Sequence, residues 1–248
     1  MGKQAIFRVQ KNEVIAPNVH RLVLEGDTSA CVAPGQFVNI LMKDVYLRRP
    51  ISVCEYDEHT ITLVFRKLGK GTEILAARKS GDELNALVGM GNGYTVPENI
   101  ARPLVVGGGL GTPPMYALTK LLLEKGKTPT VLLGFRTAND VFYDDRFAAL
   151  GCRTIVCTDD GTRGEKAIAA LYAASLEGQY DYFFACGPVP MLRTLYDVCP
   201  TDGQMSFEER MGCGFGACMG CTCKTMYGNK RICVDGPVLH KEEILWQI

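Results

Sequence analysis

Cys213, Cys218, Cys221, Cys223 and Cys233 crowd five of the chain's 11 cysteines into the segment 213–233. With Cys223 set aside the spacing is C-x4-C-x2-C-x11-C, and C-x4-C-x2-C followed by a distant cysteine is the plant-type spacing of a [2Fe–2S] cluster. Two irons need four thiolates on a loop that wraps closely around inorganic sulfide. Gly212, Gly214, Gly216 and Gly220 let the backbone come near and aim N–H groups at sulfur. Zinc is the alternative, but structural zinc usually takes paired C-x2-C units, and only one is present. Cys223, two residues past Cys221 on an extended chain, should face the other way and reads as a packing residue. Cys31, Cys54, Cys152, Cys157 and Cys199 read as small core side chains.

Two further stretches could hold phosphate. Val105-Val106 leads into Gly107-Gly108-Gly109-Leu110-Gly111-Thr112-Pro113-Pro114, a glycine turn between an expected strand and an expected helix. Such a turn lets backbone approach a phosphate while the helix start supplies N–H donors. As a G-x-G-x-x-G match it is imperfect, because Thr112 stands at the third glycine, and Phe135-Arg136-Thr137 stands where a ribose-binding acid is usual. Asp159 or Asp160 in Thr158-Asp159-Asp160-Gly161 could meet the ribose instead, while Arg136 could favour a 2′-phosphate. Cys186-Gly187-Pro188 falls at the same expected sheet edge, where α/β proteins bind ligands. The second stretch is Arg48-Arg49-Pro50-Ile51-Ser52, followed by Val64-Phe65-Arg66 and by Gly69-Lys70-Gly71-Thr72 opening a short helix. Arginine's planar fork beside a helix start suits a pyrophosphate, with a solvated charged face as the plain alternative.

The elements that must position these residues change character along the chain. From 1 to about 100, short period-two runs such as 5–9, 20–24, 36–40 and 60–65, separated by Gly and Pro, predict an antiparallel sheet closed into a small barrel. From 101 to 202, apolar runs at 103–106, 130–133, 154–157 and 182–185 alternate with helical stretches at 113–125, 144–150, 164–177 and 189–198. That alternation predicts a parallel-sheet α/β domain. From 203 to 248 the chain is rich in Gly and Cys and expected to depend on what the cysteines bind.

Composition narrows the classes. Lys plus Arg and Asp plus Glu are 27 each, so there is no basic stripe for nucleic acid or for an anionic membrane. With 47% apolar residues the chain can bury a core, and no apolar run reaches the length of a bilayer-spanning helix. Met1-Gly2-Lys3-Gln4 runs into a strand pattern without a signal-peptide core, and clustered cysteines suit a reducing compartment, so a cytoplasmic location is expected.

Together these motifs resemble the ferredoxin–NADP reductase superfamily. More narrowly, Arg49-Pro50-Ile51-Ser52, Gly71-Thr72, the turn 107–114, Glu208-Glu209-Arg210-Met211-Gly212-Cys213 and Cys233-Val234-Asp235-Gly236-Pro237-Val238 resemble the electron-transfer subunits of NAD-dependent dihydroorotate dehydrogenases. The resemblance spans essentially the whole chain. It implies a β-barrel holding FAD through Arg49, Pro50, Ile51, Ser52, Val64, Phe65, Arg66, Gly71 and Thr72. It implies an α/β domain holding NAD at Gly107, Gly108, Gly109, Gly111, Thr112, Asp159, Asp160, Cys186, Gly187 and Pro188. Its four cluster ligands map onto Cys213, Cys218, Cys221 and Cys233. Ile51 stands where the wider superfamily usually stacks an aromatic residue on the flavin. Cys186, near the nicotinamide by resemblance, reads as a positioning residue rather than a nucleophile. NAD rather than NADP follows from the resemblance alone.

The chemistry implied is relay: a flavin takes hydride two electrons at a time, a cluster carries one, and together they convert between the modes. His20, His59 and His240 all lie outside the motifs. Dihydroorotate oxidation needs a base and a second flavin, so it should belong to an FMN-containing TIM-barrel partner, two of each subunit forming a heterotetramer in pyrimidine biosynthesis. The rival readings are a flavin/iron–sulfur subunit of another NAD(P)H–ferredoxin oxidoreductase or sulfur-reducing complex, and a non-catalytic zinc module.

Overall fold

The computed structural model describes residues 2–246. Alternation in the first zone closes as expected. Strands β1 (Lys3–Ala16), β2 (Val19–Glu25), β3 (Phe37–Ile40), β4 (Arg49–Tyr56), β5 (Thr60–Arg66) and β6 (Glu83–Met90) form a closed barrel in the order β1-β2-β5-β4-β3-β6. A short helix α1 (Lys70–Ala76) lies between β5 and β6. Phe7, Leu22, Leu24, Ile40, Ile61 and Leu63 fill the barrel with no measurable exposure, each worth roughly 1.5–3 kcal/mol of burial.

The second zone builds strands β7 (Pro103–Gly108), β8 (Thr130–Phe135), β9 (Arg153–Thr158), β10 (Glu165–Lys166) and β11 (Tyr182–Cys186). Its helices are α2 (Thr112–Glu124), α3 (Asp144–Ala149), α4 (Ala169–Tyr172) and α5 (Val189–Val198). The helix expected over 164–177 starts only at Ala169, because Glu165 and Lys166 pair with Cys157 and Thr158 along the open edge of β9.

The third zone adds β12 (Gly203–Ser206), the hairpin β13 (Thr222–Thr225) and β14 (Gly228–Arg231), and β15 (Val238–His240). The sheet runs β10-β9-β8-β7-β11-β12-β15, parallel except for β15. The division expected at 202/203 therefore does not follow the sheet. Phe183 and Cys186 pair with Gly203 and Ser206, and Met205 pairs with Leu239, so both ends of the cysteine segment are sheet strands.

Two buried clusters weld the parts together. On one face of the sheet Phe37 and Met90 of the barrel pack with Leu104, Leu132 and Phe183, and with Cys221, Ile232 and Cys233. On the other, Val19, Cys54 and Val64 of the barrel pack with Met115, Leu118 and Phe147. Lys120 of α2 meets Glu55 of β4 at 2.8 Å, and Arg21 Nε donates to the Tyr143 hydroxyl at 3.3 Å across the same seam. Among the described residues no helix is long and apolar enough to cross a membrane.

Candidate functional site

The four expected cluster ligands come together in two pairs. The Cys213 N–H points at Cys218 Sγ at 3.5 Å, and the Cys218 N–H points back at Cys213 Sγ at 3.4 Å. Gly220 N–H adds a second donor to Cys218 Sγ at 3.4 Å. On the inner side Cys233 N–H approaches Cys221 Sγ at 3.4 Å. The outer pair is partly or fully exposed and the inner pair is buried. Their acidities split accordingly. Burial raises the Cys213 thiol, but N–H groups of Cys218, Phe215 and Ala217 outweigh it and bring it down to about 6. Burial, then the neighbouring Cys221, pushes Cys233 up to about 12.

Four thiols arranged two and two, with N–H donors aimed at sulfur, fit two irons that share sulfide. Cys223 lies on β13, half-buried against the core, and lines a separate groove with Phe207 and Trp246.

Around the barrel, the two neighbouring arginines part company. Pro50 sits opposite Asn39 on β3 and has no N–H to give, and Arg48 donates to the Asn39 carbonyl at 3.1 Å and to Asn85 Oδ1 at 3.1 Å. Arg48 is thus a strand-pairing residue. Arg49 turns to the first turn of α1, where its Nε lies 2.3 Å from where a Cβ on Gly71 would stand. Its guanidinium donates to the carbonyls of Leu47 and Arg48 at 2.6 and 3.4 Å. A cation held against the N–H end of a helical turn is a cradle for an anion between them. Thr72 is the third residue of α1 and caps its start: its hydroxyl accepts from Leu68 and Gly69 N–H at 2.9 and 3.1 Å and donates to the Gly69 carbonyl.

Val64 and Phe65 turn their side chains into the core, Phe65 stacking on His20 at 5.5 Å, so only their main chain can meet a cofactor. Ile51 and Ser52 are half-buried, with Ile51 packed on the barrel core.

A cavity of about 460 Å³ opens between barrel and sheet. Arg66, Gly108, Gly109, Asp159 and Pro188 line it, together with Arg136, Asp140, Ile168 and Met191. It lies beside the carboxyl ends of β7 and β11, where the strand order reverses and α/β sheets take ligands. Arg66 Nε is buried without a hydrogen-bond partner and can serve an anion bound in the cavity. Thr112 Oγ1 at the start of α2 is also without a partner, but Thr112 is fully buried and does not line the cavity.

The two aspartates differ: Asp160 spends its carboxylate on Thr162, accepting from N–H and hydroxyl at 3.0 and 2.6 Å, whereas Asp159 faces the cavity. Cys186 is buried, and burial, then Glu208, holds its thiol up at about 12, which suits positioning and not attack. Gly107, Gly111 and Gly187 lie at the turns as close-packed backbone. Met191, which covers Gly108 and Gly187, was not among the expected residues; its place in the first turn after Cys186-Gly187-Pro188 was the available signal.

Comparison with known proteins places the chain by sequence and by fold. The model of the iron–sulfur cluster binding domain of dihydroorotate dehydrogenase B matches residues 208–245. The electron transfer subunit of dihydroorotate dehydrogenase B (NAD(+)) from Lysinibacillus sphaericus is 39% identical, the match covering 97% of this chain and 98% of that one. Its counterpart from Geobacillus kaustophilus is 41% identical over 96% of each. The chain belongs to this family. Electron-transfer subunits of dihydroorotate dehydrogenase B thus share its length from end to end, barrel and sheet included. Among solved structures, an NADH-dependent reduced ferredoxin–NADP oxidoreductase superposes with a TM-score of 0.87 at 28% identity, over 99% of this chain and 92% of that one. Phthalate dioxygenase reductase, at 14% identity and a TM-score of 0.67 over 89% and 86%, shares the fold.

Proposed function

We propose that this chain links an FMN-containing, dihydroorotate-oxidising subunit to NAD+ through a [2Fe–2S] cluster and FAD, in the service of pyrimidine biosynthesis. Dihydroorotate gives up two electrons and two protons in the partner; NAD+ takes both electrons and one proton, and the second proton goes to solvent. When bound, a flavin trades hydride with nicotinamide and single electrons with an iron–sulfur cluster.

The residues divide the work. Cys213 and Cys218 hold one iron, Cys221 and Cys233 the other. Arg49 and the first turn of α1 grip the FAD pyrophosphate, while Arg66 meets negative charge where barrel and sheet join. Gly108 and Gly109 admit the NAD phosphates, with Asp159 positioned for a ribose hydroxyl. The observation that carries this reading is the two-and-two pairing of thiols on a module packed against the flavin barrel.

The partner is proposed as a TIM barrel, in a heterotetramer of two of each subunit. Phe215 and Met219 lie between the cluster ligands with more than half their surface exposed, and Leu41, Tyr46 and Leu47 are exposed on the loop that follows β3. Phe215 and Met219, apolar side chains left in water between the proposed ligands, suit burial against that partner. A cytoplasmic location is proposed because all 11 cysteines are free.

Purified from its host, the protein should be yellow-brown, with flavin and iron–sulfur absorption, and should co-purify with its partner at a native mass of two plus two. A colourless, zinc-containing protein sinks the proposal, and a ferredoxin-type partner in place of a dihydroorotate oxidase redirects it.

Removing the Arg49 side chain tests the flavin site on its own. Arg49→Ala deletes a charge-assisted contact worth ~1.5–3 kcal/mol, about tenfold to a hundredfold in FAD affinity. Dialysis followed by flavin absorbance reads it directly, and FAD retention equal to the parent protein would reject the assignment.

A further inference from the structure

We infer that Asn39 is a positioning residue for the outer cluster pair, clamping the Cys213 loop to the strand pair that carries the flavin motif. The inference rests on the cluster assigned above.

Asn39 lies on β3 and is 1% exposed. It shares the outward face of that strand with Phe37, which packs in the cluster that includes Cys221 and Cys233, whereas Val38 and Ile40 point into the barrel. Its amide Nδ2 donates to the Cys213 carbonyl at 3.3 Å. A Cβ on Gly214 would stand 2.2 Å from that same nitrogen, so the amide lies flat against the Gly214 backbone, which turns there with φ +78°. Across the ladder Asn39 faces Pro50 of the flavin motif. One side chain therefore joins a residue opposite the flavin strand to the first cluster ligand.

The chemistry of the amide is telling. Its Oδ1 is buried with no hydrogen-bond partner. Turning the amide over would set Oδ1 against the Cys213 carbonyl, acceptor on acceptor, so the donor must face the loop. Leucine would fill the same space without stranding a buried acceptor. What only the amide supplies is the grip on the Cys213 peptide. The N–H of Cys213, on the other side of the same Cα, points at Cys218 Sγ, and the Cys213 sulfur receives the Cys218 N–H, so holding the Cys213 carbonyl fixes the residue that makes the N–H···S bonds of the outer pair. Such bonds favour the more negative, reduced cluster and raise its potential.

Asn39→Leu and Asn39→Ser both remove the grip, the first keeping volume and the second avoiding any clash. In the full complex, the cluster midpoint potential, followed by visible absorbance or EPR, should shift to more negative values in both. The ratio of dihydroorotate-to-NAD+ turnover to NADH-to-dye turnover should fall about tenfold, the lower range for losing a group that orients a metal ligand. Unchanged potential and ratio in either folded variant overturns the inference, as does loss of FAD and cluster together from both, which would make Asn39 a packing residue. If the parent complex carries no cluster signal, the proposed function itself has failed, and that outcome is visible before any variant is made.

Discussion

In Cys218→Ala, dihydroorotate-dependent reduction of NAD+ is expected to collapse while NADH-dependent reduction of a soluble dye survives. Cys218 is the exposed member of the outer pair, so shortening it leaves no hole in a core, unlike Cys221 or Cys233. The change removes one of four thiolates, together with the sulfur that the Cys213 and Gly220 N–H groups point at. Losing a group that merely orients a ligand costs about ten- to a hundredfold, and losing the ligand should exceed that in the coupled reaction. The Arg49 cradle and the cavity at Gly108 and Asp159 lie elsewhere, so hydride exchange with NADH should stay within a few-fold of the parent protein. Both activities must be measured on one reconstituted complex. Coupled turnover at the parent rate without a cluster would make the module a scaffold and nothing more.

The second large effect comes from a single methyl group. Gly111 has φ −76°, which any residue adopts, so backbone freedom is not why glycine stands there. A Cβ at this position would lie 2.0 Å from the Cys186 carbonyl oxygen and 2.6 Å from Gly187 N, both backbone atoms with no side chain to swing aside. Gly111→Ala must push the start of α2 away from the end of β11, and overpacking of this kind costs about 3 kcal/mol or more. For a chain of this size that is roughly 6–12 °C in melting temperature. Because the displaced turn adjoins the cavity proposed for NAD, the KM for NADH should rise as well, with FAD content unchanged. Gly109 is the control: it has φ +52° with open space around it, so Gly109→Ala should cost only the left-handed conformation, roughly 1–2 kcal/mol. Equal melting temperatures for the two variants would refute the close-approach argument.

Much of this was readable in the residues, and the unread part has a common cause. Alternation at 20–24 and 60–65 reported burial on one side of a strand, and it led directly to β2 and β5 of a closed barrel. Spacing alone singled out the four thiols that the fold sets in two N–H···S-linked pairs, because they lie within one short segment. The different roles of the neighbours Arg48 and Arg49 could not be read locally, since they depend on Pro50 lacking an N–H opposite Asn39, a pairing between strands. Asp159 and Asp160 looked interchangeable until the turn engaged one of them with Thr162. Ile168, just before α4, and Met191, on α5, reach the cavity from separate segments, and no local pattern marks a residue that only tertiary packing brings there. The same holds for Asn39 and Cys213, which lie 174 positions apart.

The anchoring of the cysteine segment at both ends, by β12 and β15 within one sheet, has a kinetic meaning. Many redox chains deliver electrons with a carrier domain on a flexible tether, whose swing between donor and acceptor sets the pace and slows in viscous solvent. Here the carrier is sewn into the nucleotide sheet and wedged against the barrel through Phe37, Met90 and Asn39. On the proposed reading, electrons would then cross a gap fixed by packing, like a spark gap machined into a block, and turnover of the complex should be insensitive to solvent viscosity.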